Sequence, residues 1–231
     1  MQAHAISDRN EDTPSIPEFS PMTRSLAQVI SYITHPLFLP LLVTFLILNS
    51  IPEYMVTFKS LSKRFAFDSL YFRVGITCIG FPALVLFLTR ALNLVSSVYM
   101  KTQRDRIIPY SAMMIFYFWA FYTFQQEGLA PRFYTAFFLG AFLSISIAFV
   151  SNVFIKTSMH TVGWGGVIGF LLSLMWGMHM NVSIPLVITF FVAALVATAR
   201  MVLGAHTPRE IYAGFLIGIL CQLISCWILV K

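Results

Sequence analysis

Charge is scarce in this chain. Asp, Glu, Lys and Arg together make up 10% of its 231 residues, too little polar surface to coat a soluble globule of that size. Cysteine is scarcer still. Cys78, Cys221 and Cys226 lie inside apolar runs without C-x-x-C spacing, which argues against a disulfide framework and against a thiolate zinc site, so they read as small buried hydrophobes. Long basic stripes are also missing. Lys and Arg outnumber Asp and Glu by 15 to 9, but they sit in short breaks between apolar runs, where topology signals and anionic headgroups explain them better than nucleic acid does. The first 25 or so residues hold Asp8, Arg9, Glu11, Asp12, Glu18 and three prolines with no apolar stretch, which excludes a cleavable signal peptide at the start.

What the chain does have is apolar length. Hydrophobic residues make up 58% and aromatic residues 16%, and the mean hydropathy is +0.80. A helix crosses a hydrocarbon core of about 30 Å with roughly 20 apolar residues. The runs are apolar on every side, whereas a lipid-facing barrel strand alternates, so the pattern predicts an all-α polytopic transmembrane bundle in a lipid bilayer. Residues 1–27 read as a polar, mobile tail and 28–231 as one membrane domain without an internal repeat. Spans are expected near 28–48, 71–94, 110–124, 133–155, 161–179, 182–203 and 211–230. The total falls to six if the first, proline-rich run is re-entrant or the aromatic 110–124 run lies partly outside the core. His35-Pro36 and Pro40 should kink or interrupt the first span. The segment with Lys59, Lys63 and Arg64 reads as interfacial.

Parity then carries the argument. The breaks after spans two, four and six emerge on one face of the membrane, and they hold most of the chemistry. The first contains Lys101, Arg104, Arg106 and Pro109, the second Lys156-Thr157-Ser158-Met159-His160, and the third Arg200, His206, Arg209 and Glu210. Ionisable groups at span ends are functional candidates, with headgroup anchoring as the bland competitor. Cations that neutralise phosphate oxygens, one imidazole as nucleophile, a second as acid and a carboxylate to orient the nucleophile form a set suited to phosphoryl transfer. No metal-binding carboxylate cluster accompanies them, so charge stabilisation falls to Arg and Lys and no cofactor is expected.

These residues resemble the type 2 phosphatidic acid phosphatase superfamily, whose site combines K-x6-R-P, P-S-G-H and S-R-x5-H-x3-D motifs. Ala199-Arg200, His206 and Glu210 reproduce the third spacing, with Ala for Ser and Glu for Asp. Thr157-Ser158-Met159-His160 keeps the Ser and His of the second. In the first, Lys101 and Pro109 are in register, Ile108 occupies the Arg position, and Arg106 or Arg104 is the candidate substitute. The resemblance covers roughly residues 95 to 220. It implies a phosphohistidine on His206, an imidazole oriented by Glu210, a leaving oxygen protonated by His160, and a phosphate bound by Lys101, Arg106, Ser158 and Arg200. The implied protein is an integral-membrane lipid phosphatase acting on a polyprenyl diphosphate, phosphatidate or phosphatidylglycerol phosphate. A lipid-phosphate-binding relative without turnover is the alternative.

Several residues carry a second reading. Thr207-Pro208-Arg209-Glu210 is a capping box with Pro at the first helical position, so Glu210 closes a helix, orients His206, or does both. Gly163, Gly165, Gly166 and Gly169 fall inside an apolar span with no following Lys, which favours close helix packing over a phosphate loop. The aromatic run from Phe116 to Phe124 reads as lipid-facing belt or core, with a tail cleft as the minor reading. His35 and His179 are expected in structural or interfacial roles. Lys59, Lys63, Arg64, Arg132 and Lys231 lie on the face opposite the motifs, so the positive-inside rule puts the motifs on the external or periplasmic side of a cell inner or plasma membrane.

Overall fold

The computed structural model describes residues 19–50, 65–92, 106–128 and 130–230. Among these there is no strand, and seven helical stretches are long and apolar enough to cross a membrane. They are Pro21–Asn49, Leu70–Ala91, Ile107–Glu127, Arg132–Ser151, Met159–Gly177, Ser183–Val202 and Pro208–Val230. The chain is an all-α polytopic bundle.

In chain order the helices are α1 (Pro21–Ile33), α2 (Leu39–Ser50), α3 (Phe65–Gly75), α4 (Phe81–Ala91), α5 (Ile107–Glu127), α6 (Arg132–Ser151), α7 (Met159–Leu172), α8 (Ser183–Val202) and α9 (Pro208–Val230). The first span is interrupted where the sequence places its prolines. α1 begins earlier than the apolar run alone indicates, because the Ser20 hydroxyl accepts the Thr23 N–H at 3.2 Å and Pro21 takes the first helical position. It stops at Ile33. The residue before a proline is driven to extended backbone, and His35 adopts φ −60°, ψ 133° ahead of a 3-10 turn at Pro36–Phe38. A π-helical turn at Ile76–Gly80 joins α3 to α4, and another at Ser173–Gly177 follows α7.

α7 and α9 form the tightest pair. Their approach is set by G-x-x-x-G stripes on both helices, Gly165 with Gly169 and Gly214 with Gly218, which let backbones meet where side chains would hold them apart. A Cβ at Gly165 would lie 2.6 Å from the Phe215 carbonyl, and one at Gly169 would lie 2.6 Å from that of Ile219. The pairing is parallel, so both N-termini arrive at the same end of the bundle. α6 packs on α9 and on α5, α8 on α7, and α1 on α8. Lipid-facing side chains such as Phe72, Phe87, Ile184, Phe191 and Trp227 are exposed, while Tyr134, Phe138, Phe170 and Leu171 fill the core. At the far end from the motifs, Arg73 pairs with Glu127 and lies 4.4 Å from the centroid of the Phe124 ring.

Candidate active site

Three connections build the site. After α8, Gly204 at φ 62° supplies the left-handed residue that ends the helix, and the Ala205 N–H returns to the Arg200 carbonyl at 3.1 Å. That turn delivers His206 directly before Thr207, the N-cap of α9. The capping box forms: the Thr207 N–H donates to Glu210 Oε2 at 3.1 Å, and the Glu210 N–H to Thr207 Oγ1 at 3.4 Å. After α6, the segment leading to α7 is fastened to the start of α9 by the Ser158 N–H donating to the Glu210 carbonyl at 3.4 Å. The motif pieces therefore meet because two parallel helices begin side by side.

The His206 side chain is 3% exposed. Its Nδ1 lies 2.9 Å from Glu210 Oε2 and 3.1 Å from the Lys156 carbonyl oxygen. Both partners only accept, so Nδ1 carries the proton and Nε2 keeps its lone pair. Burial foremost, together with the Arg200 and Arg106 guanidiniums, lowers the His206 pKa to about 4 against the upward pull of Glu210. A neutral imidazole with a free lone pair is the form a nucleophile requires.

His160 opens α7, within electrostatic range of Arg200 and His206. Its Nε2 lies 3.1 Å from the Ser31 carbonyl oxygen, which assigns the proton to Nε2 and leaves the lone pair on Nδ1. Arg200 is partly buried, with Nη1 donating to Ser31 Oγ at 3.4 Å. Arg106 precedes α5, is buried, and donates from Nη1 to the Thr157 carbonyl at 3.2 Å. Ser158 is fully buried. Its hydroxyl and Arg200 Nε have no hydrogen-bond partner among the described residues, an arrangement that is costly unless a ligand or water completes it.

The structure thus brings together His206, Glu210, His160, Arg200, Arg106 and Ser158. Lys101 and Arg104 lie outside the described residues. Ile108 follows Arg106 in the first turn of α5, so the cation at this point is displaced from its motif position. His179 sits at the opposite end, with φ 54°. Of the glycines of α7, Gly165, Gly166 and Gly169 face α9 and Gly163 faces Pro36 and Leu39, so they serve helix packing.

Sequence reasoning missed Ser31 and His35. The His35 ring packs edge-on against His160 with centroids 5.3 Å apart, and His35 lies within electrostatic range of Arg200. A signal for both was present, since broken backbone at membrane depth is tolerated only where it is buried in protein or lines a cavity, and the His35-Pro36 break is of that kind. One turn below His160, Trp164 heads a lateral groove of about 430 Å³ between α2, α7 and α8, lined also by Leu42, Leu46, Ile188 and Val192.

Comparison with protein-family models, with curated proteins and with solved structures finds no match to this chain.

Proposed function

We propose that this protein is an integral-membrane lipid phosphatase that works through a phosphohistidine on His206. The observation that carries the reading is the setting of His206: Nδ1 is committed to Glu210 and Lys156, burial favours the neutral imidazole, and two guanidiniums lie within electrostatic range. In the proposed reaction, the Nε2 lone pair attacks phosphorus and the bond to the lipid oxygen breaks. The leaving oxygen takes a proton from His160, protonated at both nitrogens once the phosphate dianion supplies counter-charge. Water then attacks the phosphohistidine, giving its proton to His160 and returning the lone pair to His206. Arg200, Ser158, Arg106 and Lys101 bind the non-bridging oxygens, and the paired N-termini of α7 and α9 add their positive ends.

The apolar groove beneath Trp164 supports a lipid substrate, because it would hold a tail in the bilayer while the headgroup reaches the cations. Polyprenyl diphosphate, phosphatidate and phosphatidylglycerol phosphate all fit that description, and the first is our leading choice. The positive-inside argument puts the site on the external or periplasmic face of an inner or plasma membrane. Cysteine labelling at position 207 from each side tests that orientation, and labelling from the cytoplasmic side alone reverses it.

The test of activity is phosphate release by purified protein from a panel of these lipids. Release abolished by His206→Ala supports the enzyme. Binding without release across the panel supports a second reading, a lipid-phosphate receptor, which is favoured by the engagement of Arg106 with the Thr157 carbonyl and by Met159 in place of the motif glycine.

A further inference from the structure

The end of α1 lies outside all three motifs, yet it touches two of their side chains. Ser31 is 7% exposed and makes both contacts. Its carbonyl accepts the His160 Nε2–H at 3.1 Å, and its hydroxyl accepts Arg200 Nη1–H at 3.4 Å. The carbonyl is available for a local reason. In a continuing helix it would accept the His35 N–H, but the break before Pro36 redirects that N–H to the Tyr32 carbonyl at 3.3 Å. The broken turn is itself clamped, since the Trp164 indole N–H donates to the Thr34 carbonyl at 3.0 Å.

We propose that Ser31 is a positioning residue of the phosphate site, acting through Arg200 and His160. This rests on the phosphatase reading above. A guanidinium held at Nη1 presents its other edge, Nε with Nη2, which is one of the two edges that grip an oxyanion in a bidentate fork. Arg200 Nε, on that edge, is buried and without a partner among the described residues. His160, held at Nε2, presents Nδ1. The arrangement parallels His206, where one nitrogen is fixed on oxygen and the other keeps its lone pair. Ser31 therefore keeps its contacts while phosphate is bound, because phosphate occupies the atoms it leaves open.

Ser31→Ala removes the hydroxyl and little volume, and Ser31→Thr keeps the hydroxyl. The experiment measures inorganic phosphate binding to the full-length protein in detergent, then kcat and KM for the best lipid phosphate of the panel. Ser31→Ala should weaken phosphate binding and raise KM roughly three- to tenfold with kcat within about twofold, and Ser31→Thr should recover binding. Unchanged binding in Ser31→Ala, while the parent protein binds phosphate, overturns the positioning role and leaves the phosphatase reading standing. Tighter binding in Ser31→Ala also overturns it, since Ser31 would then compete with phosphate as a lid. A drop in both variants that follows loss of thermal stability makes Ser31 a packing residue and overturns it as well. No phosphate binding by the parent protein overturns the site reading and this inference together.

Discussion

Glu210 Oε2 accepts from the Thr207 backbone N–H at 3.1 Å and from His206 Nδ1 at 2.9 Å, so one carboxylate oxygen both caps a transmembrane helix and orients an imidazole. The two duties have different physical requirements. Capping needs an acceptor; holding His206 with Nδ1 protonated and stabilising the imidazole as it develops charge needs a fixed negative one.

Glu210→Gln separates them. The amide oxygen still caps, so thermal stability should change little, while phosphate release should fall by roughly two to four orders of magnitude. Glu210→Ala should lose the same activity and in addition about 1 kcal/mol of stability. Full activity in Glu210→Gln would reduce this residue to a cap.

The pH–rate profile reports His206. An unperturbed imidazole titrates near 6.5, but this one is lowered to about 4, foremost by burial. If His206 is the nucleophile proposed above, it should stay neutral from pH 7 down to about 5, and the loss of kcat/KM that its protonation causes should centre near 4. A limb near 6.5 that vanishes in no other histidine variant would contradict this. The sign for stability follows from proton linkage. Between about 4 and the unfolded value, the unfolded chain binds more protons at this position, so the stability His206 contributes is fully present above 6.5 and falls as pH drops toward 4.

Gly218 tests the scaffold. A Cβ there would lie 2.2 Å from the Val162 carbonyl, a backbone atom that moves only if the helices separate. Gly218→Ala should cost roughly 1–3 kcal/mol by overpacking and should weaken phosphate binding, because it parts the two helices whose N-termini carry the site. Gly75→Ala meets nothing within 4 Å and should be neutral or stabilising by up to about 1 kcal/mol. Thermal unfolding in detergent and phosphate titration read both variants.

Much of the frame is legible in residue order. Apolar length predicts the spans because a bilayer imposes one thickness on every crossing helix. The capping box at Thr207–Glu210 is legible because its partners are three residues apart, and the first-span break because Pro36 acts on its immediate neighbours. The glycines of α7 identify a packing face, but not its partner: the matching stripe at Gly214 and Gly218 lies two spans away. For Ser31 and His35 the sequence signalled only the break at His35-Pro36, not their place in the site. Neither belongs to a motif, and their contacts with His160 and Arg200 bridge more than a hundred residues.

The sequence by itself determined that this is a polytopic helical membrane protein and that parity collects its ionisable breaks on one face, since hydropathy and span count are one-dimensional quantities. Only the tertiary structure decided which side chains on that face meet. The parallel α7–α9 contact places His206 beside Ser158 and the start of α7, and the broken first span brings Ser31 to His160 and Arg200. A hydrogen bond forms over about 3 Å, and separation along the chain carries no information at that scale.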